Sequence, residues 1–356
     1  MNRASVLLKA VVVFWSLSRP VAEHVVAAYL PEYRWYVDLE AALRCCVSDL
    51  ILFSVSPRDN GSVDDHWIPS ENIARARRAA DAVPDRVVNV LLCVGGAGRS
   101  AGFAKATSTA KRRRRFVANL EALLEEHSLD GVDFDWEAPR NDEEMANYVL
   151  LLRAASRALR SKNKLVTVAL HPGQSLKTAR LPGDGDVGSP YDFVDRVHLM
   201  AYDMVSRDQS RHSTLEDASS AARHQLGEGL LSHKLALGVP AYGRHMQRPG
   251  EVKTFAEIYD ELRPLQHPHR SHKHAHFDSD ITESGYFFNG PSTVRAKANW
   301  ANDQGFAGVV IWELGQDKLG TRSSLLAAAA DASGFPNALP EVKFRGDKKG
   351  KEDREL

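Results

Sequence analysis

Asp130-Gly-Val-Asp-Phe-Asp-Trp-Glu137 alternates acidic and apolar residues over most of its length. Side chains on a β-strand point to opposite faces in turn, so Asp133, Asp135 and Glu137 share one face and Val132, Phe134 and Trp136 the other. The apolar face suits a layer of helices, and the acidic face then points into a barrel. Seven further apolar runs repeat along the chain: Val25–Leu30, Leu50–Val55, Val87–Val94, Leu165–Leu170, Val197–Tyr202, Leu235–Val239 and Gly308–Trp312. Each is short and rich in β-branched residues, as buried parallel strands are. Between them lie stripes at helix spacing, such as Phe116, Leu120, Leu123 and Leu124, or Tyr148, Leu151, Leu152, Ala155 and Leu159. Eight strands alternating with helices is the count of a (β/α)8 TIM barrel. A doubly wound sheet would alternate in the same way, and the strand count favours the barrel.

The rest of the chain bounds this reading. Its 356 residues equal about two average domains, yet single α/β barrels reach this length. Lys+Arg and Asp+Glu are both 46, so there is no global charge to hold nucleic acid. Three cysteines make no disulfide framework; Cys45, Cys46 and Cys93 read as buried thiols with one optional bridge. No internal run is long enough to span a bilayer. Arg3 and Lys9 with the apolar stretch Ala10–Leu17 read as a signal or targeting segment over residues 1–22, which predicts the secretory pathway. Asn60-Gly-Ser62 is a glycosylation sequon that suits such a route. Residues 23–340 form the barrel, and the charged residues 341–356 a disordered tail. The basic run Lys111–Arg115 reads as an exposed helix start. The histidines between His267 and His276 have no zinc-site spacing and read as a solvated loop.

Three carboxylates on one inward face are costly if all are charged. The same alternation would serve a solvated edge strand or a hard-metal site. A catalytic cluster fits better, because like charges this close share protons and split their pKa values, which yields an acid and a charged stabiliser from identical groups. Glycoside hydrolysis needs such an acid to protonate a leaving oxygen. Glu137 lies nearest the C-terminal mouth, where barrel active sites are found.

At Asp130, Asp133, Asp135 and Glu137 the pattern Asp-x-x-Asp-x-Asp-x-Glu resembles the signature of glycoside hydrolase family 18, the chitinase family. Val94-Gly-Gly96, Met200-Ala-Tyr-Asp203, Gly238–Arg244 and Gly308–Trp312 resemble the family's third, sixth, seventh and eighth strand regions, in order. Cys93 departs from it, standing where a serine is common. The resemblance implies hydrolysis of β-1,4 links between N-acetylglucosamine residues, with the substrate's own acetamido group as nucleophile. It implies Glu137 as proton donor, Asp135 as partner of the acetamido N–H, Asp133 as the group beneath that tunes it, and Tyr202 as its orienting hydroxyl. Asp203, Trp312, Tyr29, Met200, Tyr242 and Arg244 would contact the sugar. It implies chitin or N-acetylglucosamine oligosaccharides as partners, a monomer, and no cofactor or metal. The rivals are a non-catalytic chitin-binding lectin, an endo-β-N-acetylglucosaminidase on N-glycans, and a metal-dependent barrel enzyme. The segment after the seventh strand, Met246–Gly290, reads as one helix and one short strand. That mini-insertion predicts a shallow cleft that favours short chitooligosaccharides.

Overall fold

The computed structural model describes residues 24–177, 189–205, 211–262 and 280–335. Eight strands form the barrel: β1 (Val25–Pro31), β2 (Asp49–Pro57), β3 (Asn89–Gly95), β4 (Gly131–Asp135), β5 (Leu165–Leu170), β6 (Arg196–Leu199), β7 (Leu235–Pro240) and β8 (Gly308–Trp312). Each pairs in parallel with the next, and β8 pairs with β1, so the sheet closes. The wall carries α1 (Leu39–Cys45), α2 (Ser70–Asp81), α3 (Ala110–Glu126), α4 (Asp142–Leu159), α5 (Leu215–Gly227), α6 (Pro291–Asp303) and α7 (Leu325–Ala332). Among the described residues, only a 3₁₀ turn, Pro190–Phe193, stands between β5 and β6.

The sequence patterns explain these elements. Thr109 and Asn141 cap α3 and α4, and three acids in the first turn of α4 complement its dipole. Phe116, Leu120 and Leu124 are buried on α3, while Lys111, Arg112, Arg114 and Arg115 stay exposed, as the helix-start reading requires. The apolar residues form two layers. One lies between strands and helices; the other, smaller, lies inside the barrel around Tyr29, Ile51, Phe53, Leu91 and Cys93. Polar groups plug the lower end, where Asp49 accepts from Arg196 at 2.7 Å and from Asn89 at 2.6 Å. Asp130 orders the start of β4, accepting from the Val90 N–H at 2.9 Å and from Arg77 at 2.5 Å. Cys45 and Cys46 are bridged, and Cys93 is free and buried.

Two expectations are corrected. The sixth strand ends at Leu199, so Met200–Tyr202 belong to the loop after it. The segment after β7 holds more than one helix and one strand. Tyr242–His245 pairs antiparallel with both Val252–Thr254 and Tyr286–Phe287, and the helix Phe255–Leu262 packs beside them. The first two strands are short and polar, which hides them from periodicity. Phe255, Ile258, Leu262 and Phe288 of this segment join the barrel's own core. Residues 1–22, read as a signal segment, the tail 341–356 and the histidine stretch lie outside the described residues.

Closure depends on a residue without a side chain. Gly308 has φ +147°, and a Cβ there would sit 2.0 Å from the Val25 carbonyl oxygen across the β8–β1 seam. Gly308→Ala is expected to cost about 3 kcal/mol or more, because either backbone or seam must move. Urea unfolding checks this; an unchanged midpoint would mean that the seam yields freely.

Candidate active site

The three carboxylates descend from the mouth of the barrel into its interior. Asp133 is fully buried, and its neighbours come from three other strands. Tyr29 donates to it at 2.7 Å, Thr167 at 2.5 Å, and His198 Nδ1 lies 3.0 Å away. Burial pushes its pKa up, but His198 and the two hydroxyl donors outweigh this and leave it lowered. Asp133 is therefore a buried anion. One pleat higher, Asp135 has one carboxylate oxygen buried without a partner. Its pKa is raised well above the carboxylate range, by burial first and then by the charges of Glu137 and Asp133. Burial and the neighbouring carboxylates thus favour the protonated form of Asp135.

Glu137 lies beyond the last residue of β4 yet keeps the alternation. Trp136 turns outward and stacks on Phe103, with centroids 5.0 Å apart at 13°, and meets Tyr148 edge-on. The Glu137 N–H donates to Ser100 Oγ at 3.0 Å. Gly95 allows the loop after β3 to approach, since a Cβ there would lie 2.2 Å from the Asp135 carbonyl oxygen. The Glu137 carboxyl is thereby fixed at the mouth, with its side chain 23% exposed.

Above the ladder lies a pocket of about 180 Å³. It brings together Tyr29, Asp135, Glu137, Met200, Tyr202, Asp203 and Trp312, all expected from the sequence. Trp312 is braced by Tyr29 at 5.3 Å and Phe53 at 4.8 Å. Tyr242 and Arg244 do not line this pocket but stand behind Asp203. Tyr242 donates to Asp203 Oδ1 at 2.5 Å, and Arg244 grips both carboxylate oxygens, one of them at 2.6 Å. Asp203 sits at φ +58°, a left-handed position, and its pKa is lowered: burial opposes ionisation, and His212, Arg244 and Tyr242 overcome it. Sequence reasoning missed His198, Thr167, Ala97 and His171. The first two share the inward face of their strands, which parity could have shown. Among the described residues there is no metal-ligand cluster of three or more His, Cys, Asp or Glu side chains.

Comparison with known proteins gives a consistent picture. The family description "Glycosyl hydrolases family 18" matches residues 16–317. Endochitinase 1 of Metarhizium robertsii is 24% identical over 300 residues, covering 74% of this chain and 70% of that protein. Chitinase 1 of Aphanocladium album is 25% identical over 313 residues, covering 75% and 72%. A GH18 chitinase from Flavobacterium johnsoniae superposes with a TM-score of 0.69 at 23% identity, over 88% of this chain and 97% of that one. A plant class V chitinase mutant from Cycas revoluta, solved in complex with (GlcNAc)3, gives 0.71 at 21% identity, over 87% and 100%. At these identities the structural likeness concerns the fold.

The raised pKa of Asp135 has a consequence for stability. A carboxyl whose pKa is raised on folding binds more protons folded than unfolded, so its contribution falls as pH rises above the unfolded carboxylate range. Asp135→Asn removes that loss. The variant is expected to melt about 3 °C above the wild type at pH 7 and together with it near pH 3.5. Thermal melts at the two pH values check this, and equal melting at both would place no strain on Asp135.

Proposed function

This chain belongs to glycosyl hydrolase family 18, and we propose that it hydrolyses β-1,4 links between N-acetylglucosamine residues, in chitin or its oligosaccharides, by substrate-assisted retention. The carrying observation is the carboxylate ladder: a buried anion at Asp133, an Asp135 whose pKa is raised, and a mouth-facing Glu137. The relatives' names as chitinases point the same way.

In this reading Glu137 protonates the glycosidic oxygen. The acetamido oxygen of the sugar in the pocket then attacks its own anomeric carbon. Asp135 accepts the acetamido N–H and, as an anion, stabilises the oxazolinium-like cation; Asp133 beneath sets how readily it ionises. Asp133 and Asp135 lie on β4 and Glu137 just beyond its end, so none of the three stands across the pocket as an enzyme nucleophile. Asp203, from another loop, is held by Arg244 and Tyr242. Tyr202 orients the acetamido group, and Trp312 offers an apolar floor to the sugar face. Tyr29 and Met200 border the same sugar; Tyr242 and Arg244 fix Asp203 towards it. The presence of Glu137 favours an enzyme over a lectin of this fold. We further propose a monomer that enters the secretory pathway through residues 1–22; no helix among the described residues is long and apolar enough to cross a membrane.

Glu137→Gln keeps the shape and removes the acid. Hydrolysis of chitooligosaccharides is expected to fall about 10²- to 10⁴-fold with oligosaccharide binding retained. Rate measurements paired with binding isotherms decide it; near-wild-type turnover would end the assignment. Fully deacetylated oligomers lack the nucleophile and are expected to be turned over at least about 10²-fold more slowly than acetylated ones. Product analysis on matched pairs checks this, and equal rates would contradict substrate assistance.

A further inference from the structure

His171 follows β5 directly, and its Nε2 lies 3.5 Å from Glu137 Oε2. Its ring lines the same pocket with its side chain 46% exposed. The position is built rather than incidental. The Gln174 N–H donates to the His171 carbonyl at 3.0 Å, and the His171 N–H donates to Gln174 Oε1 at 3.3 Å. Gln225, fully buried on α5, then clamps this turn by donating to the Gln174 carbonyl at 2.6 Å and the Pro172 carbonyl at 3.4 Å. These four hydrogen bonds fix the backbone from which the His171 ring projects.

We infer that His171 is a further catalytic residue of this cleft, contacting the Glu137 carboxyl so that its charge sets the alkaline limit of hydrolysis. The inference rests on the proposed role of Glu137 as the acid. Glu137 becomes an anion when its proton passes to the leaving oxygen, and an imidazolium beside it stabilises that anion. In the second step the same carboxylate takes a proton from the attacking water, whose oxygen joins the anomeric carbon as the oxazolinium ring opens. Imidazole changes charge between about pH 5 and 8, within the working range of such an enzyme.

The other titratable groups facing the ring are otherwise committed. Asp135 has its pKa raised by burial and by the neighbouring carboxylates, Asp203 is paired with Arg244, and Tyr29 and Tyr202 have pKa values raised by burial. Behind the turn, Glu228 accepts from Ser175 at 3.0 Å. Glu137 is therefore the carboxyl that senses the ring.

A positive charge beside a carboxyl favours its ionised form, so it removes the acid at lower pH. The test is the pH profile of kcat/KM on a chitooligosaccharide for the wild type, His171→Gln and His171→Arg. The ring is half exposed, so neither variant disturbs the core. The alkaline limb is expected about half a pH unit higher in His171→Gln and about half a unit lower in His171→Arg. A lost packing contact would lower the whole profile without ordering the limbs by charge. Limbs that coincide, or that move the same way in both variants, overturn the inference while wild-type turnover preserves the role of Glu137. A wild type that hydrolyses no acetylated oligomer overturns both.

Discussion

A negative charge held without water inside the barrel is the constraint that organises this molecule. Asp133 is fully buried, and a lone carboxylate in such a place would take up a proton. Here Tyr29 from β1, Thr167 from β5 and His198 from β6 keep it ionised. Three strands are thus committed to one carboxylate on a fourth. The inner apolar layer is correspondingly small, because polar side chains occupy space that a purely structural barrel would fill with branched residues.

Everything above Asp133 follows from that charge. Asp135 cannot ionise freely over an existing anion in a buried site, so its pKa is raised. The same proximity that makes an acid available makes Asp135 an unfavourable group to fold around: one of its oxygens is buried and unpartnered. Such an atom is costly in a native structure and marks a place where something else is meant to bind.

The barrel was legible because its signals are repetitive: eight apolar runs, two helix stripes and one alternating acid strand each extend over several residues. Both helix stripes fall inside helices, and most strand boundaries were read to within a residue or two. The ladder was legible for the same reason, since strand parity alone aligns Asp133, Asp135 and Glu137. What stayed hidden is contributed one residue at a time. Thr167 lies on β5, His171 just after it and His198 on β6; only closure of the sheet brings them to the acids. The strands Tyr242–His245 and Val252–Thr254 were hidden differently. They are three or four residues long and mostly polar, and they exist because they pair with each other and with Tyr286–Phe287.

That small sheet matters to the site more than its size suggests. Tyr242 and Arg244 lie on its central strand, and both reach back to Asp203 in the loop after β6. Asp203 occupies a left-handed backbone position, which an aspartate tolerates better than most residues but which still needs support. Arg244 and Tyr242 give that support through the side chain, and His212 accepts the Asp203 N–H at 3.4 Å. The excursion after β7 therefore acts on the pocket through a charge pair rather than by lining it. Asp203 and the neighbouring Tyr202 are held at the rim by elements outside the barrel, while Asp133, Asp135 and Glu137 are held by the barrel itself. The two halves of the pocket consequently differ in what holds them: one rests on paired strands and a buried anion, the other on a loop tied down by hydrogen bonds.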